Sequence, residues 1–553
     1  MIIIILAILI YIIINEINKP EKCDSGLYLP EDDKYKCKPC SLENCDKCNG
    51  TKASNKCFSC FSTFFPFFEN NELIKCNPCD IGEDDKCVSC DEGMNKCSKC
   101  NTGYKLENGK CIVNYSFKAI YYADSNKNVN LFSNGNYKGK ILELIVDNEN
   151  KEPNFIVNLE YGYHTVFILL ENNSISESMF YSCKELREII FSSQYYNIKI
   201  NSLNNMFNGC NSLSSIDFSN FKINGVSTLD NMFEGCISLT NINISSINIS
   251  NVTSMKRMFH GCQGLKNIDF PNTKTKELKE MNEMFSGCTS LESLNLSIFD
   301  TKQITSFYNL FNDCNSLTSL NISNFVTTKV TTMDNMFKNC FSLISLDLSN
   351  FDVSNLERMD STFLSCSKLT SINLSSFKTY KLSALNYMFK DCSSLISLDL
   401  SSFITKKVGN LNKMFFGCSS LVSVNLSSFD TSNVFQMEAL FSGCTSLTSL
   451  NLSNFNTKKV TNMNSMFNGC SSLTEIDLSS FMFNNPISMV NSMFYGCSKL
   501  TYIDISYFSF PSYSTPKLFD DNIPSEGKIK VKDEIVESKI RSQIEKWEIE
   551  ILS

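Results

Sequence analysis

Cys444-Thr-Ser-Leu447-Thr-Ser-Leu450-Asn451-Leu452-Ser-Asn-Phe455-Asn-Thr-Lys-Lys-Val460-Thr-Asn-Met463-Asn-Ser-Met466-Phe467-Asn-Gly469 is one complete unit of a sequence that repeats itself. Stepping by 26 from Cys210 reaches Cys236, Cys262, Cys288, Cys314, Cys340, Cys366, Cys392, Cys418, Cys444 and Cys470 without a slip, and Cys183 and Cys497 flank the run at steps of 27. A fixed period of this size is the mark of a stacked repeat architecture. Within the unit, Leu450-Asn451-Leu452 alternates apolar and polar and predicts a short strand. Val460, Met463 and Met466 recur every three residues, which predicts a 3₁₀ or short helical turn with one buried stripe. Gly469 is placed to turn the chain back toward the strand. One strand and one turn cannot bury their own apolar side, but identical neighbours can. The expected fold is therefore an α/β solenoid, a leucine-rich-repeat-like right-handed coil with a parallel β-sheet on one face and short 3₁₀ or helical turns on the other, thirteen coils long over residues 178–508.

Outside the array, the 553 residues divide unevenly. Residues Met1 to Ile14 are uninterruptedly apolar. As a helix they rise only about 21 Å, short of the ~30 Å hydrocarbon core. A signal peptide over residues 1–20 is the better reading, with an uncleaved membrane anchor as the alternative. Residues 21–113 hold fourteen of the 27 cysteines, among them six Cys-x-x-Cys pairs: Cys37/Cys40, Cys45/Cys48, Cys57/Cys60, Cys76/Cys79, Cys87/Cys90 and Cys97/Cys100, with Cys23 and Cys111 at the ends. Polar turns separate them, so cross-links must supply the stability. Behind a secretion signal these are disulfide candidates, with connectivity unread. In a reducing compartment the same pairs would suggest zinc. Residues 114–177 contain two strand-like runs, Ile141–Val146 and Thr165–Leu170, and read as a β-rich N-terminal cap. Residues 509–553 read as a C-terminal cap, with a last strand at Gly527–Val531 and a short helix over Asp533–Trp547. A cap at each end is needed because an open coil would expose strand edge and core.

The recurring Met-Phe-x-Gly-Cys-Ser-Ser-Leu-Thr-Ser-Leu-Asn-Leu-Ser-Ser-Phe-Asp-Thr-Ser-Asn-Val unit, closely copied from Cys418 to Val434, resembles the BspA-like leucine-rich-repeat surface proteins of the 26-residue class. That resemblance covers about 60% of the chain. It implies a secreted or cell-surface protein that adheres to host or matrix ligands, and it brings no catalytic residue with it. The cysteine spacing of residues 21–113 resembles the furin-like, growth-factor-receptor-type repeats of extracellular proteins.

Two columns of the repeat are candidates for binding. The residue between the strand aliphatics is Asp217, Asn243, Asp269, Asn295, Asn321, Asp347, Asn373, Asp399, Asn425, Asn451, Asp477 and Asp504 in successive coils. Strand alternation aims it at solvent, either as a polar strip for glycan or protein ligands or as a solvated face that keeps the sheet soluble. Tight calcium sites are disfavoured, since Asn breaks up the carboxylates. The loop after the strand places Lys329, Lys381, Lys407 and Lys459 in one column, interrupted by Asn355 and Asn433. That column is either a basic edge for acidic glycans or a solvated ridge. Several Asn of the strand column begin Asn-x-Ser sequons. Asn49, Asn114 and Asn172, away from that column, are the better glycosylation candidates.

The cysteine column predicts buried free thiols, because parallel Cβ vectors at the ~4.8 Å strand spacing leave neighbouring Cβ atoms too far apart for relaxed disulfides. A net charge of −8 without a basic footprint argues against nucleic acid as a partner. The chain has two histidines, His164 and His260, in different regions, and no nucleotide-binding or zinc-hydrolase motif. The expectation is a non-catalytic adhesion or recognition protein without cofactor or metal, binding an extracellular protein or glycan. It would touch a membrane only through an uncleaved N-terminal anchor. The alternative is a coat or matrix component that self-associates.

Overall fold

The computed structural model describes side chains at residues 99–100, 102–106, 111–133, 140–171, 175–192 and 199–552. Short strands between residues 27 and 110, and residue 198, are described as backbone alone. Residues 1–20, expected as a signal peptide, and the glycosylation candidates Asn49 and Asn172 fall outside the described residues. Of the fourteen disulfide candidates, Cys23, Cys37, Cys40 and Cys79 also lie outside them. Cys45, Cys48, Cys57, Cys60, Cys76, Cys87, Cys90 and Cys97 stand in strands described as backbone alone, so the expected cross-links are seen at Cys100 and Cys111 only.

Two compact units result. The first comprises residues 1–116, 143–151 and 167–169, and the second 117–142, 152–166 and 170–553. In the first, Cys-x-x-Cys segments form antiparallel pairs: Cys45–Cys48 with Cys57–Cys60, and Cys87–Cys90 with Cys97–Cys100. Cys100 is joined to Cys111 by a disulfide with a Cα–Cα distance of 5.6 Å. Gly103 sits at φ +87, and a Cβ there would lie 2.8 Å from the Phe167 ring, so the turn after Cys100 requires glycine.

The second unit is a parallel β-solenoid of thirteen coils with very little helix. It begins at Leu186–Phe191, which pairs antiparallel with Phe117–Ala123 on one side and parallel with Ser215–Asp217 on the other. From there each coil places like residue beside like residue. Asn241–Asn243 pairs with Asn267–Asp269, Ser345–Asp347 with Ser371–Asn373, and Ser397–Asp399 with Ser423–Asn425. These strands are only three residues long, and the stretches 293–295, 319–321 and 449–451 run through without strand pairing. Leu450-Asn451-Leu452, expected as a strand, is one of the unpaired stretches.

The firmer inter-coil ladder lies on the opposite face, in place of the expected helical turns. The amides of Met463, Ser465, Phe467 and Gly469 do not continue a helix. They donate to the carbonyls of Met489, Asn491, Met493 and Tyr495 in the next coil at 2.6–3.0 Å. The same pattern recurs at Met333, Asn335, Phe337 and Asn339 onto Arg358, Asp360, Thr362 and Leu364. Between these residues the chain closes single i→i+3 turns, such as Met466 N–H to Met463 O. Two left-handed residues per coil, Ser465 (φ 57) and Gly469 (φ 76), break the helical run and turn the alternate amides along the solenoid axis. The period of three thus marks stacked turns and not a 3₁₀ helix.

The core is a set of ladders. Fourteen phenylalanines from Phe180 to Phe519 stack in single file. Neighbouring centroids lie 5.2–6.1 Å apart and ring planes within 14° of each other. Beside them, Cys183 through Cys497 are free and buried. From Cys210 onward each thiol donates to a phenylalanine carbonyl of the preceding coil, as Cys366 does to Phe337 and Cys392 to Phe363 at 3.1 Å. Burial holds their pKa values high, up to about 12 at Cys366, Cys418 and Cys497. A third ladder is made of buried threonines. Thr405 Oγ1 donates to Asp430 O at 3.0 Å and accepts from Asp430 N–H at 2.9 Å, and Thr431 does the same to Asn456. Thr301 and Thr379 likewise meet both polar groups of one residue in the following coil, while Thr327 and Thr457 donate to a carbonyl there and Thr275 accepts an amide.

The last coil continues into a four-stranded parallel sheet, Glu475–Asp477, Tyr502–Ile505, Lys528–Val531 and Glu548–Ile551 in that order. The C-terminal helix is shorter than expected. It runs from Glu534 to Ile540, capped by Asp533, which accepts from Val536 N–H at 2.9 Å. After one 3₁₀ turn the chain reaches the buried Trp547 and then the final strand, which the sequence did not reveal. Among the described residues no helix is long and apolar enough to cross a membrane.

Candidate binding face

The strand face is built from two outward columns. Ten of the twelve Asp/Asn residues stand exposed: Asn243, Asp269, Asn295, Asn321, Asp347, Asn373, Asp399, Asn425, Asn451 and Asp477. Asp217 is half-buried. Asp504 is not at solvent as expected: it is buried, and its carboxylate accepts from the backbone and hydroxyl of Ser506. The added strands Lys528–Val531 and Glu548–Ile551 extend the sheet beyond it.

The column has a structural duty as well. The Oδ1 atom accepts the backbone N–H two residues on, closing an Asx turn that ends the extended segment. Asp347 meets Ser349 at 2.9 Å, Asp399 meets Ser401 at 3.0 Å and Asn451 meets Ser453 at 3.0 Å. At Asp269 the residue two on is Pro271, which has no N–H to give. Backbone and hydroxyl bonds from Ser349 and Ser401 hold the Asp347 and Asp399 carboxyls below the usual carboxylate range. In every coil of the column but that of Asp269 one Oδ1 therefore serves the fold, while the remaining side-chain polar atom of each exposed residue, and the Ser371, Ser397 and Ser423 hydroxyls beside them, face outward. Shallow depressions lie over these columns. One of about 450 Å³ is lined by Ser397, Asp399, Ser423 and Asn425, and one of about 370 Å³ by Ser449, Asn451, Glu475, Asp477 and Tyr502.

The basic edge is also exposed, at Lys329, Lys381, Lys407 and Lys459. Three of its ammonium groups are engaged by the column itself. Lys329 donates to Gln303 at 2.6 Å, Lys381 to Asn355 at 2.7 Å and Lys459 to Asn433 at 2.6 Å. The two asparagines that interrupt the column in the sequence are thus its acceptors. Asn114, the described glycosylation candidate, is half-buried, and its Nδ2 donates to Glu143 at 2.8 Å, so the nitrogen that would carry a glycan is already engaged.

His260 belongs to a polar knot on the turn face. Arg257 bridges Glu234 at 2.5 Å and Glu283 at 2.6 Å, and His260 Nδ1 lies 3.5 Å from Glu234. Burial works to raise the Glu234 pKa. Hydrogen bonds from His260 and Arg257 and the Arg257 charge outweigh it and hold the carboxyl at about 2. Among the described residues no set of three His, Cys, Asp or Glu side chains converges as metal ligands.

A feature that residue-by-residue reading missed stands at the start of the strand face. Tyr122, Tyr161 and Tyr163 cluster there, with ring centroids 4.8 Å (Tyr122–Tyr163) and 6.1 Å (Tyr122–Tyr161) apart, and the Arg187 guanidinium packs 5.1 Å from the Tyr122 ring. The alternation Tyr161-Gly162-Tyr163 was the available signal.

The comparisons with known proteins follow the repeats. The family described as "Mycoplasma protein of unknown function, DUF285" matches residues 174–295, 263–377, 305–423 and 383–508. No curated protein matches the chain. Among solved structures, TLR13 in its complex with ssRNA13 is 17% identical at a TM-score of 0.21, covering 62% of this chain and 64% of the other. This chain therefore spans less than two thirds of that chain's length. The functional domain of InlJ from Listeria monocytogenes, which includes a cysteine ladder, is 16% identical at a TM-score of 0.21, covering 59% of this chain and 70% of the other.

Proposed function

Because the chain belongs to the DUF285 repeat family, whose profile spans its whole coil array, we propose that it is a non-catalytic recognition protein, secreted or displayed at the cell surface, that binds protein or glycan ligands along its strand face. The observation that carries this reading is the division of labour in the Asp/Asn column. From Asn295 to Asp477 one oxygen closes each coil, and the rest of the side chain is held at solvent in the same place coil after coil. A surface of preset hydrogen-bonding groups loses little freedom on binding. The apolar leader and the dense Cys-x-x-Cys pairs support an extracellular setting.

The test is a glycan and matrix-protein array probed with the full chain and with a variant carrying Ser371→Lys, Ser397→Lys and Ser423→Lys. These serines point outward and take no part in closing a coil, so the variant should fold normally and lose binding. Binding that survives the three lysines would exclude the middle coils of this face as the site. Concentration-dependent assembly with no array signal would favour a self-associating coat.

A further inference from the structure

We infer that Tyr122, Tyr161 and Tyr163 form a stacking platform for the sugar rings of a neutral glycan, whose chain continues over the polar rows of the first coils; this rests on the recognition reading above and names its ligand class. Tyr161 and Tyr163 are each 70% exposed, an unusual state for two large rings side by side. The rings are tilted by 50° and 69° to that of Tyr122, so the three form the walls of a cradle. The cradle is held open by the fold. Asn126 Oδ1 accepts Tyr161 N–H at 2.9 Å, and Arg187 supports the Tyr122 ring. Between the two exposed tyrosines, Gly162 at φ +133 carries no side chain, and no atom lies within 4 Å of where a Cβ would be. Tyrosine offers a rigid, amphipathic contact at low entropic cost, which suits a ligand with an apolar ring face and a hydroxyl rim.

Position and charge select the ligand. The sheet runs from the strand Gly162–Leu170 through Phe117–Ala123 and Leu186–Phe191 to Ser215–Asp217, so Tyr163 and Tyr122 share its outer side with the Ser and Asp/Asn columns. Outward neighbours align as Lys118–Ile190–Asp217 and Ile120–Glu188–Ser215, and Asp269, Asp347, Asp399, Glu475 and Asp477 follow along the face. Over the first coils Glu188, Asp217 and Asp269 outnumber Lys118 and Arg187, a balance that disfavours anionic glycans and anionic lipid surfaces there. Hydroxyls of a neutral sugar can both donate to the carboxylates and accept from asparagine amides and serines. The coil spacing of about 4.8 Å is comparable with the length of one sugar in an extended chain.

The experiment is calorimetric titration of the full chain with neutral hexasaccharides of glucose, mannose and N-acetylglucosamine. Tyr161→Ala/Tyr163→Ala should weaken binding by about tenfold or more. Tyr161→Phe/Tyr163→Phe, which keeps the rings, should stay within about threefold, and Tyr513→Ala, removing a tyrosine 86% exposed elsewhere, should change nothing. If the alanine pair binds as well as the parent while the serine-to-lysine variant does not, the platform is wrong and the strand-face reading stands. If no neutral sugar binds but a protein ligand does and needs these tyrosines, the ligand class is wrong. If the full chain binds nothing, both readings fall together.

Discussion

The Asp520 carboxylate straddles the backbone N–H of Gly496, with both oxygens 3.1 Å from the nitrogen. Gly496 stands in the last coil, at the position whose amide in earlier coils donates to a carbonyl of the next, as Gly469 does to Tyr495. Every coil turns these amides the same way, so their peptide dipoles add along the axis, with N–H groups facing the C-terminal end. Asp520 caps that end as an acidic residue caps a helix N-terminus. Gln543 completes the closure, accepting from Leu518 and Phe519 N–H at 2.8 and 3.1 Å. At the opposite end Ser133 N–H donates to Met179 O at 2.9 Å.

Removing this cap should open the last coil first. Asp520→Ala is expected to cost about 1–2 kcal/mol, and Asp520→Asn less, since its amide oxygen can still accept. Native-state hydrogen exchange reads the effect locally. Gly496 N–H should lose protection in Asp520→Ala while the Gly287 amide, deep in the array, keeps it. Equal loss at both sites would mean that Asp520 acts on the whole molecule and caps nothing.

The thiol file makes a second prediction. Thirteen buried thiols whose pKa values burial pushes up have almost no thiolate at neutral pH, and thiolate is the reactive form. In folded protein the thiols of Cys183 to Cys497 should resist alkylation at pH 8 and become reactive together when denaturant unfolds the array. Mass spectrometry of partially labelled protein checks this. Substantial labelling of Cys314 or Cys340 without denaturant would contradict the packing.

Much of this is legible in the sequence, and the reason is the period. A cysteine every 26 residues from Cys210 to Cys470 forces like residues into register, which fixes the Leu, Met, Phe and Cys columns at once. What the period cannot convey is backbone direction. Of the two left-handed positions per coil, the one at Gly469 is glycine in many coils. The other is Asn335, Ser361, Tyr387, Lys413 or Ala439, no single type, so the turn-face ladder carries no compositional mark. Strand alternation places the Asp/Asn column at solvent but says nothing of its Asx turns, although Ser follows two residues later in most coils. The threonine ladder, Thr379, Thr405, Thr431 and Thr457, stands in the repeat without drawing attention, because nothing in a sequence tells a buried hydroxyl from an exposed one. The Tyr122–Tyr163 contact joins residues 41 positions apart outside the repeat, where periodicity is silent.

The polar knot around Arg257 should make the array acid-sensitive at one place. Glu234 is held at about 2, below its ordinary 4.5, so its contribution is complete above about pH 4.5 and is lost as pH falls through about 2. The side chain is only 22% exposed, so the stabilisation is on the order of 3 kcal/mol before screening. Glu234→Gln should be less stable than the parent at pH 6, and the difference should shrink toward zero near pH 2. Denaturant titrations of both proteins at several pH values measure it. A constant difference across that range would show that Glu234 acts by shape and not by charge.

Thr405 tests whether the threonine ladder holds the coils or only fills space. Its hydroxyl serves both the carbonyl and the amide of Asp430 within the core. Thr405→Val keeps the shape and removes both bonds, leaving two buried backbone groups unmet at a cost of about 1–3 kcal/mol. Thr405→Ser keeps the bonds and loses a methyl, a cost of about 1 kcal/mol. Valine therefore should be the worse substitution, although hydrophobic packing alone would rank it the better. The molecule already shows what relief looks like. At Val353, in the same column, the next coil's Lys378 N–H turns to Ser376 O at 2.9 Å. If Asp430 can make the same local turn, Thr405→Val will fall at the low end of its range, and exchange of the Asp430 amide will report it. A valine variant more stable than the serine variant would show that the ladder is a consequence of stacking and not a cause.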